Sequence, residues 1–110
     1  MAQTEKTAQR KDMSGTDLES VSGALVIERK EARFPVKILA LQITEPFKVR
    51  EINRSTGAPY EEKGDCGDYL VQAKNSYGEN LHWVLPKHVV SEHYQIIGLN
   101  TVGVALRQEQ

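Results

Sequence analysis

The sequence predicts one small α+β domain, an antiparallel and strongly twisted sheet or open barrel with a single short helix after Pro86. Three observations carry that expectation. "VKILALQI", Val36 to Ile43, is an almost unbroken apolar run rich in branched residues, which suits a strand covered on both faces. "FKVREI" alternates, placing Phe47 and Val49 on one face and Lys48 and Arg50 on the other. "YLVQA" and "LHWVLP" flank "KNSYGEN", whose Asn75 and Gly78 suit a turn, so the two runs form an antiparallel hairpin.

Along the chain, residues 1–20 are polar and poor in large apolar side chains, and they are expected to form a disordered tail ahead of one β-rich domain at 21–110. A short helix at "GTDLESVS" would have Thr16 as N-cap and Glu19 in the capping-box position. "GALVIERKEARF" opens with an apolar run and turns charged, as a strand leading into a turn does, and Pro35 ends any helix there. Val36–Ile43 is the expected central strand. Asn53 to Asp68, rich in Gly, Pro and carboxylates, reads as one long loop. Pro86 fits the first turn of a helix over "PKHVVSEHY", where Val90 and Tyr94 stand at i,i+4. "YQIIGL" and "VGVALR" close the chain as two further strands.

Composition excludes several classes of function. The chain has 110 residues, room for one core, and 14 Lys and Arg against 15 Asp and Glu give a charge of −1, so no overall field draws it to nucleic-acid phosphates. Cys66 is the only cysteine, which leaves no internal disulfide framework. No apolar leader and no apolar run near the ~20 residues of a bilayer span are present, so a cytoplasmic protein without membrane contact is expected.

"ALQITEPFKVRE", then "GDYLVQ", a turn, "HWVLPKHV" and a following aromatic resemble a group of small, mostly uncharacterised bacterial and phage proteins that carry a PGDYLV or PGDYG motif. The likeness covers about residues 36–97, with Cys66 in place of the motif's Pro and Leu70 where some members have Gly. It implies a compact β-rich module, related to phage or prophage proteins, and brings no activity with it.

Several constellations have two readings each. In "KGDCGDYLVQ", Asp65, Gly67, Asp68 and Tyr69 make either a tight turn that aims a strand or a ligand-binding loop, and Glu61 and Glu62 could join the aspartates around a hard cation. Cys66, His82, His88 and His93 are zinc-type ligands at poor spacing, so no metal is expected. Asp65 and Asp68 beside Cys66 disfavour a thiolate nucleophile. Lys48 and Arg50, with Lys37, Arg54 and Lys63, offer a wet face on which Tyr60 or Tyr69 could stack a base. No coherent catalytic set emerges. The expected function is therefore a non-catalytic binding or adaptor module, without cofactor, that recognises another protein or a second copy through an exposed strand edge, "FKVREI" or "VGVALR". A small RNA-binding module on the Lys48/Arg50 face is the alternative, and a metal-dependent hydrolase the third reading.

Overall fold

The computed structural model describes residues 9–31, 33, 36–53, 56–75 and 77–100. The strands are β1 (Lys11–Asp12), β2 (Leu25–Arg29), β3 (Ile38–Gln42), β4 (Phe47–Ile52), β5 (Pro59–Gly64), β6 (Tyr69–Lys74), β7 (Asn80–Leu85) and β8 (Tyr94–Leu99), with a 3-10 turn at Leu18–Ser20 and helix α1 at Lys87–His93. β3 lies in the middle of a five-stranded sheet ordered β7-β6-β3-β2-β8, as its two-sided apolar pattern requires. All pairs in that sheet are antiparallel. A second sheet, β1-β4-β5, has three strands, and β1 joins β4 in parallel. Neither sheet closes into a barrel, which selects the open twisted arrangement.

Strand alternation divides the core. Leu70 faces one side with Phe47, Val49, Met13, Leu18 and Ile43, so the first cluster fills the space between the two sheets. Val71, Ala40 and Ile27 face the other side, where Trp83, Leu85 and Tyr94 pack around them. Phe47, Leu18 and Leu70 are fully buried, each contributing about 1.5–3 kcal/mol by removal from water. The registers make β7 and β8 run in the same direction, and the connection between them carries α1, which buries Val90 and packs on β8.

Four expectations change. Residues 9–20 do not form a tail: β1 pairs with β4, and Met13 and Leu18 enter the core, two apolar anchors that a polar segment average conceals. The helical turn there is capped by Asp17, whose side chain accepts from the Glu19 N–H, in place of Thr16. The long loop expected at 53–68 contains β5, paired along its length with β4. β4 itself is the middle strand of its sheet, with β5 along one side and the two residues of β1 covering Phe47 and Lys48 on the other. Residues 1–8 of the expected tail, and all of "VGVALR", lie outside the described residues.

Candidate functional site

The Gly-Asp repeat resolves as a turn. Gly67 has φ +95°, its N–H donates to the Ile43 carbonyl, and the Ile43 N–H donates back to the Asp68 carbonyl. Asp68 accepts from the Asp65 N–H with one oxygen and from the Lys87 N–H with the other, so it joins the turn to the start of α1. Arg10 binds the Gly64 carbonyl at 2.6 Å and reaches Asp65 at 3.3 Å. Tyr69 packs in the cluster on the far face of the main sheet. Asp65, Gly67, Asp68 and Tyr69 thus each take part in local structure.

The Lys48/Arg50 face is mixed in charge. On the outer side of the small sheet Lys48 faces Lys63, Arg50 faces Glu61, and Arg50 also reaches Asp12 at 3.4 Å. Neither proposed stacking residue is on that face: Tyr69 lies in the other sheet, and Tyr60 points inward toward Glu51 and His82. Lys37 is on the other sheet's side, just before β3, and Arg54 lies outside the described residues. The structure does not assemble a basic platform with aromatic interleaving here.

The zinc-type residues are dispersed. The Cys66 thiol donates to the Thr44 carbonyl, His82 is buried between the sheets, His88 is exposed at the start of α1, and His93 sits at its end near Glu31 and Glu92. Among the described residues no group of three or more His, Cys, Asp or Glu could hold a metal ion. Glu61 points outward and Glu62 inward on β5, which separates the suggested cation ligands.

Sequence reasoning missed the network around His82. Its Nδ1 contacts the Glu51 carboxylate, and its Nε2 lies 2.6 Å from the Thr16 carbonyl and 3.0 Å from Gln72 Oε1. Gln72 faces His82 across the β6/β7 ladder, accepts from the Leu18 N–H at 2.6 Å and donates to Asp17 at 3.0 Å. The Gln72 amide, ahead of the Glu19 N–H, holds the Asp17 carboxyl below its ordinary range. A Glu–His pair is a familiar catalytic unit. Here the imidazole is buried and the nitrogen opposite the carboxylate already faces a backbone carbonyl, so the pair clamps residues 16–18 onto the sheet.

The same inward side of the small sheet closes one edge of the large one. Glu51 accepts from the His82 N–H at 3.0 Å, and Glu62 accepts from the Val84 N–H at 2.8 Å. Both are outward amides of β7, an edge strand that would otherwise invite pairing. The opposite edge, β8, differs. Among the described residues no strand lies beyond it, "YQIIGL" has neither charge nor proline, and Ile96 (60%), Ile97 (42%) and Leu99 (57%) are largely exposed.

Beside β7, an open cleft of about 550 Å³ lies between the end of the β4–β5 hairpin and the β6–β7 turn, lined by Ile52, Tyr60, Glu62, Tyr77 and Leu81 among others. Burial, then Glu51 and Glu62, push the Tyr60 hydroxyl above the usual phenol range. Among the described residues no helix is long and apolar enough to cross a membrane. No protein-family model matches the chain, and neither a curated protein nor a solved structure matches it.

Proposed function

We propose that this protein is a non-catalytic binding module that takes up an extended segment of a protein partner along β8. The observation that carries it is the asymmetry of the five-stranded sheet: β7 has the outward amides of His82 and Val84 occupied by Glu51 and Glu62, while β8 carries no charge or proline and, among the described residues, no strand lies beyond it. Strand addition supplies backbone hydrogen bonds, and Ile96, Ile97 and Leu99 supply apolar contacts on either side of them. The enclosed Glu51–His82 pair supports a binding role over a catalytic one, since its imidazole is spent on holding Thr16.

The test compares two baits, the wild-type chain and a variant carrying Ile96→Lys and Leu99→Lys, after circular dichroism establishes that both are folded. Because residues 36–97 resemble bacterial and phage proteins, lysates of bacteria with and without prophage induction are the pool to screen. A protein retained by the wild type and lost from the variant supports strand addition. Equal retention by both baits, or nothing above a control bait, removes this reading. Analytical ultracentrifugation of the wild type separates out the case in which the strand taken up belongs to a second copy.

A further inference from the structure

The exposed large apolar side chains gather in two places. Ile96, Ile97 and Leu99 belong to β8, while Ile52 (57%) and Tyr77 (84%) line the cleft beside β7, at the opposite edge of the sheet; among the described residues only Val36 stands apart. We propose that this cleft is a binding site for the side chain of an arginine in a peptide or protein ligand.

Three features carry the proposal. First, the walls are aromatic: Tyr60 is half-buried, and Tyr77 is held out on a turn whose backbone is fixed by Asn75, which accepts from the Tyr77 and Glu79 N–H groups at 2.9 Å each. Such faces attract a planar cation, and a guanidinium stacks on them as well as being drawn electrostatically. Second, the charge is complementary. Among the described residues Glu62 is the one charged residue lining the cleft, it is half-buried, and it has no cationic side chain within ion-pair distance. Its recorded bond is from the Val84 N–H to one oxygen, Oε1. Third, the basic residue that neighbours the cleft among the described residues does not compete: Arg50, in the adjoining depression, lies against Asp12. Burial first, and then the Glu51 and Glu62 carboxylates, hold the Tyr60 hydroxyl above the usual phenol range, the carboxylate part being in line with a negative potential at the cleft. Ile52 and Leu81 then offer apolar surface to the methylene stem of the arginine.

The test is a two-dimensional amide NMR titration of the full chain at low salt with N-acetyl-Gly-Arg-Gly-amide, alongside the same peptide with citrulline, which keeps the shape and lacks the charge. The arginine peptide is expected to shift the amides of Ile52, Tyr60, Glu62, Tyr77 and Leu81 with a dissociation constant in the low millimolar range, of order 1–10 mM for so small a ligand. Citrulline should bind at least about fivefold more weakly, as a lost charge contact and cation–π term require. Glu62→Gln keeps an oxygen for the Val84 N–H and should abolish the preference for arginine, and Tyr77→Ala, at an exposed position, should weaken the arginine peptide severalfold. No shifts up to about 50 mM, equal binding of the citrulline peptide, or an unchanged preference in Glu62→Gln would overturn the assignment. The cleft and β8 occupy opposite edges, so either outcome leaves the strand-addition reading to its own experiment.

Discussion

His82 and Gln72 face each other across β6 and β7, and together they hold the backbone of residues 16–18. Removing the imidazole leaves the Glu51 carboxylate, 15% exposed, with the residue-82 N–H and the Tyr60 hydroxyl but without the ring nitrogen that its second oxygen contacts. His82→Ala is therefore expected to destabilise the fold by about 3–5 kcal/mol, the cost of breaking a buried pair, as measured by urea denaturation. Asp17 adds a pH dependence. Its carboxyl is held below the ordinary value of 3.8 by Gln72 and the Glu19 N–H, so it binds protons less readily folded than unfolded. That contribution is complete above the unfolded value and is lost as pH falls through the lower, folded value. Thermal midpoints should drop below about pH 4, and Asp17→Asn, which keeps the acceptor, should flatten that part of the curve.

None of this network was legible in the sequence. His82 and Gln72 look like ordinary polar residues on alternating strands, and their meeting depends on the β6/β7 register. What the sequence did reveal at this scale was local chemistry. The Gly-Asp turn follows from positions that need positive φ and from aspartates that bond nearby amides, both short-range effects.

At the scale of elements, β3, β4, β6, β7, β8 and α1 fall where apolar patterning, alternation and Pro86 place them. β5 was missed because "PYEEKG" has little strand propensity: its inward positions are Tyr60, Glu62 and Gly64, of which only Tyr60 is large and partly apolar. It is a strand because β4 pairs with it and because Gly64 lets Phe47 lie directly over the backbone, where a Cβ would fall well inside the ring's contact distance. Gly64→Ala should accordingly cost about 1–3 kcal/mol in urea denaturation, as overpacking of a filled core does. A change smaller than about 0.5 kcal/mol would mean that Phe47 has somewhere else to go. Glu62, an inward carboxylate that weakens the strand signal of β5, is also the group that holds the Val84 N–H at the β7 edge, so what obscures the element in the sequence is what gives it a task.

Over the whole molecule, the two sheets share one core between them, and the segment from Lys11 to Ser20 joins both by pairing with β4 and burying Leu18 beside Leu70. The result is a sheet in which, among the described residues, β7 has two outward amides held from within and β8 has no strand beyond it. Amide hydrogen exchange, read residue by residue by NMR, tests that asymmetry most directly. The outward amides of His82 and Val84 should be protected to the same degree as those that β7 shares with β6, because Glu51 and Glu62 occupy them. Along Tyr94–Leu99, protection should alternate, slow where β8 pairs with β2 and fast where the amides face outward. Uniform protection along β8, or rapid exchange at His82 and Val84, would contradict an open edge at β8 and a closed one at β7.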